Sequence, residues 1–480
     1  MSHSGTRHPT LWQALLPVLI MIVLLALTLV KYQGTPHLPL IGASAAASFM
    51  GLYLGYTWKQ IEEGIIDGIL IALQACLILL IIGILIGAWI SGGIVPTMIY
   101  YGLQILSPSV FLPATFIICS VVSLATGSSW STAGTVGIAL IGVGKGLGIP
   151  LPMVAGAIIS GSYFGDKMSP LSDTTNLAPA VAGTDLFSHV RHMIYTTGPS
   201  TLIALILYSI IGWHFRQGAM QQETIDQILN AIRQHFFISP FLLVPTLLVI
   251  LMVLLRIPAL PALLAGGLIG MLCALFFQHT PIKEILSAAQ NGYICQTGVA
   301  AVDDLLSRGG LESMLPTIAL IMCALSFGGI LEKIGILAVL ASAILKIAHN
   351  TGMLVLSTIL TCIGMNIIAP DQYLSIVVPG RMYRSAYERS HLKAKNLSRA
   401  LEDAGTLSSP LIPWNTCGAY MWVTLGVHPF SYLPFAFLNL INPLVSIVLA
   451  FTGLTMEKEP EENLKIVKES QQKDAEGKSK

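Results

Sequence analysis

Apolar residues run in continuous stretches along this chain, at 11–30, 38–56, 69–90, most of 110–124, 194–213, 236–255, 259–277, 315–330, 336–347, 353–369 and 432–451. A helix needs roughly 20 apolar residues to cross about 30 Å of hydrocarbon. The pattern therefore predicts an all-α polytopic membrane protein of about 10–13 helical segments. Between these stretches, residues 125–183 and 370–426 are apolar but broken by glycine, proline and hydroxyl side chains. Broken helices survive at membrane depth only where protein or a water-filled cavity satisfies their freed backbone groups. Both regions are expected to be re-entrant hairpins or broken helices.

The two broken regions resemble each other. SPLSDTTN from Ser169 lines up with SPLIPWNT from Ser409 at 409 − 169 = 240, GTDLFSH from Gly183 with GVHPFSY from Gly426 at 426 − 183 = 243, and GAWISGGI from Gly87 with GILEKIGI from Gly329 at 329 − 87 = 242. The chain thus divides into an N-terminal tail (1–10), a first membrane repeat (11–213), a polar linker (214–235), a second repeat (236–453) and a charged, disordered tail (454–480). Between Arg381 and Arg399 stand six basic residues against one acid, which the positive-inside rule makes a cytoplasmic loop. The equivalent stretch 141–159 carries Lys145 alone, so the repeats are read as inverted.

Composition agrees. Of 480 residues, 54% are hydrophobic and only 10% charged, with mean hydropathy +0.75. That excludes a soluble secreted or periplasmic protein, and a net charge of +1 without a basic domain argues against nucleic acid as a partner. The first apolar run is long enough to remain as a span rather than a cleaved signal. Of the charged residues, 13 lie at 457–480, which reads as a solvated cytoplasmic tail. The seven cysteines form no CxxC pair and read as buried free thiols.

Ionisable groups inside membrane segments are expensive, which makes them functional candidates. The first break holds Ser129, Thr132, Asp166, Asp173, Thr175 and Asn176, and the second Asp371, Asn415 and Thr416, with Glu402 and Asp403 as lower-ranked acids. All are oxygen donors, which suit a hard cation such as Na⁺ rather than a transition metal. At the Ser-Pro offset of 240, Asp371 falls opposite Ser131, Asn415 opposite Thr175 and Thr416 opposite Asn176. Bland readings stand beside these. Asp166 pairs with Lys167, Asp173 and Asp371 cap helices, and Glu402 and Asp403 lie at an interface where they close the basic loop. FSHVRH, with His189 and His192, reads as an interfacial loop, with pH sensing as its alternative, and Lys333 reads as a local pair with Glu332. No HExxH motif, G-x-S-x-G elbow or intramembrane G-x-G-D marks an enzyme.

GSSWSTAGTVGIALIG, GAIISGSYFGDKMSPLSDTTNLAPAVAGTDLFSHVRHMIYTT, DQYLSIVVPGR and NLSRALEDAGTLSSPLIPWNTCGAY resemble the NhaC family of Na⁺/H⁺ antiporters, over roughly residues 11–453. One departure is Ala369-Pro370 before Asp371, where the family pattern has Thr-Gly. The resemblance implies a multi-pass secondary transporter of the bacterial inner membrane, with inverted repeats whose hairpin tips meet near the midplane and no cofactor. Exchange of Na⁺ for H⁺ is the expected activity, with Asp166, Asp173 and Asp371 as the ion-binding and proton-coupling acids. Exchange of malate for lactate is the alternative, and a cation channel the outsider. The expected partners are Na⁺, H⁺, the lipid bilayer and, under the alternative, small carboxylates; a homodimer is compatible with this reading.

Overall fold

The computed structural model describes residues 6–32, 34–215, 220–255 and 257–459. Among them there is no strand, and seven helices are long and apolar enough to cross a bilayer: Leu11–Leu29, Leu73–Ser91, Pro108–Thr126, Leu186–His214, Ala259–Phe276, Leu311–Lys333 and Thr351–Ile368. Two further pairs, Ile225–His235 with Pro240–Met252 and Pro429–Phe435 with Phe437–Thr452, bend by 96° and 59° at their breaks, which brings the spans to nine if each pair crosses. Large apolar side chains such as Trp12, Leu38, Phe49, Ile105, Phe241 and Phe276 stand exposed on the outer faces, as a lipid solvent requires. The segment read as a polar linker contains a helix, Met220–His235, and the charged tail enters the description only to Glu459.

Eight helices position the site: α1 (Pro108–Thr126), α2 (Leu151–Met168), α3 (Asp173–Ala182), α4 (Leu186–His214), α5 (Thr351–Ile368), α6 (Gln372–Arg389), α7 (Ala394–Leu401) and α8 (Thr416–Leu425). Their starting points recur. The N-caps Ser107, Ser128, Pro150, Ser172 and Asp185 match Asn350, Asp371, Lys393, Asn415 and His428, each at the spacing 371 − 128 = 243. The C-cap glycines Gly183 and Gly426 keep the same spacing, with φ of 87° and 72°. That left-handed conformation is open to glycine at little cost, and it ends both short helices, α3 and α8.

α2 is the hub of the first half, buried on nearly every face. It lies against α1 through small residues, the means by which membrane helices approach closely. A Cβ on Gly161 would stand 2.4 Å from the Phe116 carbonyl oxygen, and one on Gly165 2.2 Å from the Leu124 nitrogen. α4 then covers α1, while α5 packs against α6 and the last helix, Phe437–Thr452. Beyond that helix the chain turns back: Glu459 N donates to His391 O at 2.9 Å and Lys393 N to Glu457 O at 3.0 Å. The Glu457 carboxylate takes Lys395 at 2.5 Å and Lys393 at 3.1 Å. Hydrogen bonding by Lys395 holds that carboxyl below the usual range.

Candidate ion-binding site

The first break opens where Gly127, at φ 68°, ends α1. Ser128 caps the short helix Ser129–Thr132, accepting from Ser131 N at 3.1 Å, and Thr132 Oγ1 donates back to Ser128 O at 2.9 Å. That exposes the first amides of the helix, and Ser129 points them at a carboxylate. Its N–H and hydroxyl both donate to Asp166 Oδ2, at 3.2 and 2.6 Å. Asp166 sits in the last turn of α2, and Thr175 Oγ1 satisfies the carbonyls left free there, of Asp166 at 3.1 Å and Lys167 at 2.9 Å. Asn176 Nδ2 ties the turn through Pro170 O and Ser172 O at 2.8 and 2.7 Å.

The second break is built differently. Asp371 caps α6, its Oδ1 accepting from Tyr373 N at 2.8 Å and Leu374 N at 3.1 Å, while Oδ2 accepts from Thr416 Oγ1 at 3.4 Å. Asn415 caps α8 by accepting from Cys417 N at 3.0 Å, and its amide donates to Asn366 Oδ1 at 3.0 Å.

The breaks face one another across a cleft of about 430 Å³. Asp166, Asp173 and Asp371 line it together with Ser129 and Thr416, and so do the starts of α3, α6 and α8 and of the short helix at Ser129. Helix N-termini carry partial positive charge that favours the carboxylates. Gln74 supplies an amide to a wall otherwise formed by apolar residues such as Ile71, Ala75, Ile78 and Pro258. No Lys or Arg among the described residues lines the cleft, and no three His, Cys, Asp or Glu side chains among them are grouped to hold a metal ion. Trp130 lines the cleft and packs against Tyr420. Their rings stack at 4.1 Å, and Tyr420 Oη donates to Trp130 O at 2.6 Å, joining the two halves.

The Na⁺/H⁺ antiporter family model matches residues 161–454. The chain is 41% identical over 446 residues to the Na⁺/H⁺ antiporter NhaC of Alkalihalophilus pseudofirmus, covering 93% of this chain and 96% of that one. The chain belongs to this Na⁺/H⁺ antiporter family. Identity is also 41% to the malate-2H⁺/Na⁺-lactate antiporter of Bacillus subtilis (93% and 96% covered) and 40% to the arginine/ornithine antiporter ArcD of Halobacterium salinarum (95% of each). It is a multi-pass membrane protein, as its apolar helices require.

Within this antiporter fold several sequence expectations need correcting. The Ser-Pro offset of 240 misplaces the second break, because that break has three more residues between its Ser-Pro pair and its helix. At the spacing of the N-caps, Asp371 matches Ser128, Asn415 matches Ser172 and Thr416 matches Asp173, and Pro170 meets Pro413. Ser172, not Asp173, occupies the N-cap of α3; Asp173 is its first residue. Thr132, Thr175, Asn176 and Asn415 hold the hairpin tips without lining the cleft.

Asp166 and Lys167 are not a pair. Lys167 Nζ reaches Asp403 Oδ1 at 2.5 Å, both side chains fully buried, and Thr196 and Asn442 donate to the same oxygen at 3.0 and 2.7 Å. Asp403 and Glu402 are therefore buried rather than interfacial, in a π-helical turn, Glu402–Thr406, that follows α7. His189 and His192 belong to α4, buried against α7. His189 Nδ1 lies 2.8 Å from Ser398 Oγ, and His192 Nε2 lies 3.2 Å from Asn396 Oδ1. Lys333 pairs with Glu63 at 3.2 Å instead of Glu332. Sequence reasoning gave Lys167 the wrong partner and passed over Trp130 and Tyr420. A tryptophan set among Ser and Thr at a helix break was the signal available for Trp130.

Proposed function

We propose that the protein is a secondary active transporter exchanging Na⁺ for H⁺ across the bacterial inner membrane, with both ions competing for the carboxylates of the cleft. The observation that carries this reading is the convergence of Asp166, Asp173 and Asp371 with Ser129 and Thr416 on one cleft that no Lys or Arg among the described residues lines. Carboxylates and hydroxyls are the ligands a hard cation takes. A proton and Na⁺ neutralise the same oxygens, so occupancy by one displaces the other. If the empty, charged site cannot cross while its protonated and Na⁺-loaded forms can, that competition becomes the coupling. The proton gradient then expels Na⁺. Two inverted halves, with the tail and the basic segment 381–399, which runs from the end of α6 into α7 rather than forming a loop, on the cytoplasmic side, would let the cleft open alternately to each face.

One observation favours a second reading. A cleft of about 430 Å³ exceeds a bare ion and fits a small carboxylate, whose charge the converging helix N-termini would accept. A relative named as a malate-2H⁺/Na⁺-lactate antiporter belongs with this alternative.

Proteoliposomes loaded with a pH dye separate the two. Na⁺ alone should change internal pH, and Asp173→Asn should abolish the response. A response only when malate and lactate are supplied on opposite faces would favour the carboxylate exchanger, and full activity in Asp173→Asn would remove the central role of that acid.

A further inference from the structure

One wall of the cleft comes from neither break. Ile71, Gln74, Ala75 and Ile78 line it, beside Pro258 and Ala259. The first four recur three and four residues apart, so they form one helical face that continues through the break at Ala72, between the helices Trp58–Ile71 and Leu73–Ser91. Leu73 and Leu77 lie off that face and stand exposed, as leucines turned to lipid do. Gln74 is the sole polar side chain of the stripe, and within Leu73–Ser91 only Gln74 and the terminal Ser91 carry a side-chain oxygen. Its amide has no hydrogen-bond partner among the described residues. It follows Asp67, the last charged residue of the preceding helix, by 74 − 67 = 7 positions, about 10 Å along the axis at 1.5 Å per residue. An amide inside a membrane span that bonds to nothing forgoes the hydrogen bonds water would give it, which is costly unless a ligand replaces them.

The acids of the breaks leave this side of a bound cation open. Asp166 is held by Ser129, and Asp371 by the amides of Tyr373 and Leu374, so both carboxylates are fixed to the elements that carry them. A hard cation gathers oxygen ligands around itself, amide carbonyls among them. From its own wall the stripe offers one side-chain oxygen, that of Gln74. The support beneath it is rigid. Trp89 Nε1 donates to Gly266 O at 2.9 Å, and a Cβ on Gly92 would stand 2.6 Å from Gly270 O, so Leu73–Ser91 is locked to Ala259–Phe276, the helix that begins at the same wall. A ligand on such a support keeps its place while the cleft fills. Being neutral, it also adds coordination without a fourth negative charge beside the three acids.

We propose that Gln74 is a Na⁺ ligand of this exchanger, its side-chain oxygen binding from the apolar wall the ion that Asp166, Asp173 and Asp371 draw into the cleft. This rests on the Na⁺/H⁺ exchange reading. Gln74 thereby sets the affinity for the ion, while the acids carry the exchange with protons.

The test compares two near-isosteric substitutions, Gln74→Met and Gln74→Glu, in proteoliposomes, by following proton flux against Na⁺ concentration. Met keeps the size and removes the oxygen; Glu keeps an oxygen at the same reach. Gln74→Met should raise the half-saturating Na⁺ concentration about tenfold, as loss of one contact to a charged group does, with maximal flux near wild type. Gln74→Glu should stay close to the wild-type value. A residue that only packs would show the reverse order, with Met harmless in an apolar stripe and Glu damaging, and that result overturns the proposal. An unchanged half-saturation in Gln74→Met overturns it too. Absence of any Na⁺-driven flux in wild type overturns the exchange reading itself. If Gln74→Glu does not fold, Na⁺ titration of purified wild type and Gln74→Met by calorimetry decides, and equal affinities overturn the proposal.

Discussion

The same contact is made twice in this molecule with different chemistry. In the first break Ser129 donates to Asp166, and in the second Ser409 donates to Gln372 Oε1 at 2.9 Å; both partners are related by 243 residues. A carboxylate in one half is thus matched by an amide and a hydroxyl in the other. Asp173 is matched by Thr416 and Lys167 by Pro410. Asp371, the acid that the second break brings to the cleft, is already bonded to two amides of its own helix. Two related scaffolds therefore divide the labour. The first supplies charge at the cleft, and the second supplies a neutral frame with one acid held by a helix start.

Replacing the charged member of the contact tests that division most severely. Asp166→Ser should reduce Na⁺-dependent proton flux to the level of empty liposomes, whereas Ser409→Ala should cost about 0.5–1.5 kcal/mol of stability and leave flux largely intact. Equal loss of flux in both would mean that the halves contribute alike. The next effect is on folding. Lys167→Met leaves Asp403 buried without its bonded cation, at a cost of up to about 3–5 kcal/mol because Arg399 still faces it, and Lys167→Met with Asp403→Leu should recover most of that by removing both charges. Thermal unfolding in detergent reads both. A harmless single substitution would show that Lys167 is not what neutralises Asp403.

Much of this architecture was legible because a bilayer imposes blunt demands. About 20 apolar residues per span, and glycine, proline and hydroxyl clusters at each break, outlined the helices and the site before any coordinates. Asp166, Asp173, Asp371, Ser129 and Thr416 stood out as polar groups where lipid tolerates few. The register between halves did not, because the Ser-Pro strings share letters while their helix caps are three residues out of step. The Lys167–Asp403 pair spans 236 residues and leaves no local trace. His189 and His192 read as loop because FSHVRH is polar, yet α4 begins at Leu186 and its first turns are covered by α7. Burial of a polar helix end by a distant segment is a tertiary fact that local pattern does not carry.

The smallest effect concerns the edge of the comparison. Lys393, the N-cap of α7, binds Glu457, whereas its counterpart Pro150 has no side chain able to do so. The returning chain thus holds the start of α7 through Lys393 and Lys395, with His192 of α4 3.7 Å from the same carboxylate. The Glu457 carboxyl is held below its usual range by Lys395, so its contribution is complete above the ordinary carboxylate value and is lost as pH falls through the lowered folded value. Half-exposed ion pairs are weak and screened by salt. Glu457→Gln should therefore lower Tm slightly at neutral pH and low salt, and the difference from wild type should vanish in acid and shrink in high salt. No deficit at neutral pH would assign the strap's hold to its backbone hydrogen bonds with His391 and Lys393, and a deficit that persists unchanged in acid would show that the ionised carboxylate is not its source.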